Sequence, residues 1–143
     1  MTTVAQILHA KSDNTVHSIA PTASVFDAVK LMADKNIGAL LVIDGGKIVG
    51  IITERDYARK VVLMAKSSKE TPVRDVMTPQ VIYVRPQQTS EECMALMTEN
   101  RVRHLPVMDQ GKLIGLVSIG DLVKDVIAEQ KFLIEQLEHY IAG

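Results

Sequence analysis

Residues 50–56 read GIITERD and residues 115–121 read GLVSIGD. Both spell glycine, two aliphatics, a hydroxyl residue, two variable positions and aspartate. The aliphatics run into the polar half with no turn residue between them, as at a strand-to-helix junction. Thr53 and Asp56, like Ser118 and Asp121, have capping-box spacing, in which hydroxyl and acid each satisfy the other residue's backbone amide. Such a cap stabilises a helix by about 1 kcal/mol and explains the hydroxyl and the acid. It does not explain the glycine, which suits a place where another backbone, or a ligand, comes close. A helix N-terminus also offers unpaired N–H donors and a positive dipole end to a phosphate. A carboxylate one turn in can accept two hydroxyl hydrogen bonds, as from a ribose. Phosphate donors and a diol acceptor on one short segment make a nucleotide half-site.

The phrase occurs twice because the chain is written twice. Displaced by 65 residues, 16–61 align with 81–126 without a gap, with Pro21/Pro86, Leu31/Leu96, Met32/Met97, Asp44/Asp109 and Lys47/Lys112 identical. Two copies of one supersecondary unit are the economical reading. In each copy TVHSI or QVIYV suggests a strand. Ser24-x-x-Asp27 and Thr89-x-x-Glu92 then cap a helix that buries Val25, Val29 and Met32, or Met94 and Met97. ALLVI-DGGK-IVGIIT and LPVM-DQGK-LIGLVS read as hairpins. A second helix opens at the hydroxyl residue. The expected fold is α/β (α+β): β-α-β-β-α twice, with repeats at 1–66 and 67–143 and a polar linker, AKSSKETP, at 65–72. A short helix, VAQIL or VRDVM, precedes each repeat. The last helix continues through Leu122, Val126, Leu133, Leu137 and Tyr140/Ile141, to roughly 35 Å at 1.5 Å per residue.

Composition narrows the function. The 143 residues are 47% hydrophobic and 23% charged, with a formal net charge of −1, ordinary for a globular protein. Near-neutral charge and few aromatics argue against nucleic acid, and the short aliphatic runs against a membrane span. The N-terminus lacks the pattern of a secretion signal, so a cytoplasmic protein is expected. The four histidines share no metal-ligand spacing with one another or with Cys93. No nucleophile elbow or phosphate loop is present, and DGGK is a turn. Cys93 lies beside Glu91 and Glu92, which raise a thiol pKa. Catalysis is not expected.

The duplicated phrase and the LPV before the second hairpin resemble a tandem pair of cystathionine β-synthase (CBS) domains over nearly the whole chain. The resemblance implies a pseudo-two-fold pair whose two facing clefts bind adenosine ligands, the aspartate holding the ribose and the hydroxyl residue meeting the phosphate. Carried over, the first site comprises Thr53 and Asp56 with Thr15, Val16, Ile37, Gly38 and Ala39 around the base. The second comprises Ser118 and Asp121 with Thr78, Val81, Val102, Arg103 and His104. Arg55, Arg103 and His104 supply cations that favour a phosphate-bearing ligand. AMP is expected first, NAD or ATP/ADP next, and S-adenosylmethionine, itself cationic, last. The resemblance further implies a homodimer, using Val61, Val62 and Met64 with Leu122, Val126 and Ile127, and a regulated protein acted on in trans. The alternative is a ligand-free scaffold that serves oligomerisation.

Overall fold

The chain, described over residues 2–142 by a computed structural model, divides into two compact units. Residues 15–82 form one, and residues 2–14 join 83–142 in the other.

In the unit of residues 15–82, β1 (Ser18–Ile19) runs parallel to β2 (Ala39–Asp44), which pairs antiparallel with β3 (Lys47–Thr53). Helix α2 (Val25–Lys35) makes the crossover between β1 and β2. Its Ser24 cap accepts the amide of Asp27, and it buries Val25, Ala28 and Met32 at helical spacing against Leu40, Val42 and Ile52. The turn between β2 and β3 places Gly45 and Gly46 at φ 58° and 81°, which glycine adopts without a Cβ penalty. One turn of helix follows β3, α3 (Glu54–Tyr57), and the chain then widens into a π-helical stretch over Ala58–Val62.

The other unit repeats the hairpin residue for residue. Strands β4 (His104–Asp109) and β5 (Lys112–Ser118) pair as β2 and β3 do, with a bulge at the equivalent place. Helix α4 (Ser90–Asn100) buries Ser90, Cys93 and Met97, so Cys93 is a core residue. Burial, reinforced by Glu92, pushes its thiol up to about 11. The strand expected over QVIYV shrinks to a single bridge at Val84, whose backbone joins Pro106 and Met108 of β4. Helix α5 (Ile119–Ala142) is the long final helix expected, and Leu122 is its one buried residue among those described.

Two further differences concern the segment ahead of each repeat. Helix α1 (Val4–Ala10) belongs to the unit of the second repeat, not the first. Its Val4 and Ala5 amides donate to Gln88 and Pro86, and Thr2 accepts from Ser90 at the start of α4. Reciprocally, residues 67–78 fold with the first repeat. The expected linker is therefore a built part of that unit. The carbonyls of Ser68 and Thr71 accept the Phe26 and Val25 amides, two of the donors that α2 cannot satisfy internally. The VRDVM helix is a single 3₁₀ turn over Val73–Asp75, tied by its amides to Ala23 and Pro21.

Candidate functional site

Both motif junctions fold as capping boxes. Thr53 Oγ1 accepts the Asp56 amide at 3.1 Å, and Asp56 Oδ2 accepts the Thr53 amide at 3.1 Å. Ser118 Oγ accepts the Asp121 amide at 3.1 Å, and Asp121 Oδ2 accepts the Ser118 amide at 2.9 Å. Each box therefore uses one carboxylate oxygen, leaving the other for a second task.

The glycine of each phrase has a different explanation from the hydroxyl and the acid. A Cβ on Gly50 would lie 2.7 Å from Met77 Sδ and 2.9 Å from the Thr78 carbonyl. That carbonyl is fixed, because Ile51 and Thr78 exchange both backbone hydrogen bonds. A Cβ on Gly115 would lie 2.8 Å from Leu8 Cδ2. Of the two reasons for glycine, the close neighbour is the protein's own chain, Met77 and Thr78 at Gly50 and Leu8 at Gly115.

The residues expected around each motif converge in part. In the first unit Ala39 stands opposite Thr53, and the Glu54 amide donates to the Gly38 carbonyl, so the start of β2 abuts the motif. Ile37 and Gly38 are half-buried and Ala39 is buried, and the space left open at Gly38 is filled by the Glu54 carboxylate, 3.3 Å from a Cβ there. Thr15 is exposed and Val16 half-buried in the extended run before β1. In the second unit His104 stands opposite Ser118, and the Ile119 amide donates to the Arg103 carbonyl. Val102 closes α4 through its amide to Met97. Thr78 and Val81, grouped by sequence with Asp121, lie instead in the unit of Asp56. Thr78 Oγ1 donates to Asp56 Oδ1 at 3.3 Å. The exchanged segment carries Thr78 there.

The cations also differ from the sequence reading. Arg55 and Arg103 are exposed. His104 is half-buried. Burial lowers its imidazole pKa below the ordinary 6.5, Asp121 opposes the shift, and Arg103 and Lys11 add to it. His104 is thus neutral at pH 7 and offers a hydrogen bond rather than a charge. Two lysines that the sequence reading passed over hold the motif acids. Lys60 Nζ lies 3.0 Å from Asp56 Oδ1 and donates to the Val76 carbonyl. Lys11 Nζ lies 3.0 Å from Asp121 Oδ2 and donates to the Leu116 carbonyl. The i,i+4 spacing of Asp56 and Lys60 was a readable signal. Nothing in the sequence joins Lys11 to a residue 110 positions away.

Two duplicated hairpins, each delivering a hydroxyl–carboxylate cap beside a neighbouring strand, define a tandem CBS-domain protein. Residues 4–63 and 73–128 match the CBS domain family, and the chain belongs to it. It is 46% identical over 125 residues to the mitochondrial CBS domain-containing protein CBSX3 of Arabidopsis thaliana, a match spanning 84% of this chain and 61% of that relative. The fold is shared with a CBS-domain protein of Burkholderia ambifaria MC40-6, at 65% identity and a TM-score of 0.88, over 90% of this chain and 96% of the other. A hexameric CBS-CP12 protein from bloom-forming cyanobacteria matches at 29% identity and a TM-score of 0.76, over 86% of this chain and 70% of that one. Among the described residues no helix is long and apolar enough to cross a membrane, and no cluster of histidine, cysteine and carboxylate side chains could hold a metal.

Proposed function

We propose that the chain is a regulatory module that binds an adenine nucleotide, AMP before NAD or ATP, and reports it to a partner protein without catalysing a reaction. The observation that carries this reading is the repeated convergence of a hydroxyl–carboxylate cap with the first residues of an adjacent strand, Gly38–Ala39 in one unit and Arg103–His104 in the other. The carboxylate suits a diol, and the hydroxyl of the cap with an adjoining arginine suits a phosphate. Neutral His104 removes one reason to disfavour S-adenosylmethionine; Arg55 and Arg103 remain. The buried, raised Cys93 thiol is no nucleophile, which supports a non-catalytic role. The Burkholderia relative, whose name assigns it provisionally to signal transduction, is consistent with a sensor. The exposed apolar face of α5 and the hexameric cyanobacterial relative support self-association, with a homodimer as the basic unit. A cytoplasmic location fits the sequence, although CBSX3 is mitochondrial by name.

Thermal shift with AMP, adenosine and S-adenosylmethionine tests the reading directly. A ligand of the native state at 100-fold over its Kd adds about 2.7 kcal/mol, so AMP should raise the transition clearly. S-adenosylmethionine binding tighter than AMP would discard the phosphate argument. Silence from every adenine compound would leave the scaffold reading. A charge-assisted hydrogen bond contributes roughly 1.5–3 kcal/mol, so Arg55→Ala should weaken AMP about tenfold at the site it serves and leave adenosine unchanged. Unaltered AMP affinity would return Arg55 to the solvated surface.

A further inference from the structure

The two motif carboxylates are not equally available. At Asp56 both oxygens are engaged by the protein: Oδ2 by the Thr53 amide and hydroxyl, Oδ1 by Lys60 and Thr78. At Asp121 the Ser118 amide and Lys11 both fall on Oδ2, and Oδ1 has no protein donor among the described residues. The difference follows from two sequence changes between the repeats. Position 125, the counterpart of Lys60 under the 65-residue displacement, is an aspartate, so the i,i+4 cation is missing. Leu8, the counterpart of Met77 against the motif glycine, is separated from Val16 by a longer stretch than the TPQ between Met77 and Val81. Lys11 lies in the extra length, KSDN, between it and Val16, and approaches from the other side of the carboxylate. Asp125 and Asp121 line one open cleft of about 480 Å³ with Lys11, Lys124 and Gln6. Asp125 Oδ2 is shut off from solvent there without a donor.

We infer that the second repeat takes the nucleotide first: the ribose diol meets Asp121 Oδ1 without displacing a protein donor, whereas at Asp56 it must displace Lys60 or Thr78. The inference rests on the nucleotide reading above. Titration calorimetry of AMP into the full chain tests it with Asp56→Asn and Asp121→Asn, which keep an acceptor for each cap but offer the diol one acceptor fewer. The wild type should show a tight and a weaker step, at least tenfold apart. Asp121→Asn should abolish the tight step, and Asp56→Asn should leave it unchanged. Lys60→Met, which leaves Asp56 Oδ1 with the Thr78 hydroxyl as its one remaining donor among the described residues, should tighten the weaker step several-fold. Loss of the tight step in Asp56→Asn, equal losses in both variants, steps of equal affinity in the wild type, or no change in Lys60→Met would each overturn the ordering. A wild-type chain that binds no adenine nucleotide overturns the nucleotide reading itself and the ordering with it.

Discussion

Gly50 and Gly115 occupy the same place in two copies of one phrase, yet their neighbours differ in how far they can yield. The obstacle at Gly50 includes the Thr78 carbonyl, held by the bridge to Ile51, whereas that at Gly115 is the tip of the Leu8 side chain. Overpacking costs roughly 1–3 kcal/mol where the surroundings must move. Gly50→Ala should therefore sit at the upper end of that range in urea denaturation and Gly115→Ala at or below the lower end. Equal losses would show that backbone and side chain yield alike. His104 supplies a pH-dependent counterpart. Its pKa is depressed in the folded chain, so the unfolded state binds more protons and its contribution to stability rises with pH. That contribution is complete above the unfolded value near 6.5 and declines as pH falls from there through the folded value. The urea midpoint should drop between pH 7.5 and 5.5 in the wild type, and His104→Gln should flatten the slope. An unchanged slope would assign it to other groups.

At the scale of elements, the helices after the two hairpins diverge most. The chain after Thr53 manages one α-turn before widening, and Lys60 within the wide stretch reaches both Asp56 and the Val76 carbonyl. The chain after Ser118 continues for 24 residues. Of the apolar residues expected at a dimer interface, Val61 and Leu122 are buried within their own units, while Val62, Met64 and Ile127 remain exposed. Internal packing has claimed the first residues of each face and left the rest. Along α5 the exposed set continues through Leu133, Ile134, Leu137 and Ile141, the last 83% exposed. Among these, Ile134, Leu137 and Ile141 follow one another at a three- and then a four-residue step, the seam of paired helices, with Leu133 one turn before Leu137. Leu133→Lys combined with Leu137→Lys should dissociate the assembly in sedimentation velocity without lowering helix content, and truncation after Gln130, which removes the end of the helix, should dissociate it too. Retention of the oligomer in both variants would remove α5 from the interface.

At the scale of the whole molecule, each unit is completed by chain that precedes the other repeat. Deleting residues 2–11 should loosen the second repeat specifically. It removes the acceptor for the Ser90 amide, the donors to Pro86 and Gln88, and the Lys11 ammonium on Asp121. Hydrogen exchange should accelerate in α4 and β5 while α2 and β3 keep their protection; uniform acceleration would show that the exchange of segments is not local in its effect.

The sequence by itself determined the duplicated hairpins, the helix caps, the reach of the last helix and the identity of the four motif residues. Each is a local matter of periodicity, turn chemistry or spacing within a few residues, as the paired φ values of Gly46 and Gly111 illustrate. Only tertiary structure decided that QVIYV would contribute one bridge rather than a strand, that the polar stretch at 65–72 would cap α2, and that α1 would join the second repeat. It also decided that Thr78 would serve Asp56, that Lys11 would hold Asp121 and that His104 would be neutral. These outcomes depend on which distant backbone fills the space beside a glycine and which cation reaches a carboxylate across the fold. Sequence spacing carries no record of such meetings, because their partners are brought together only when the apolar faces close.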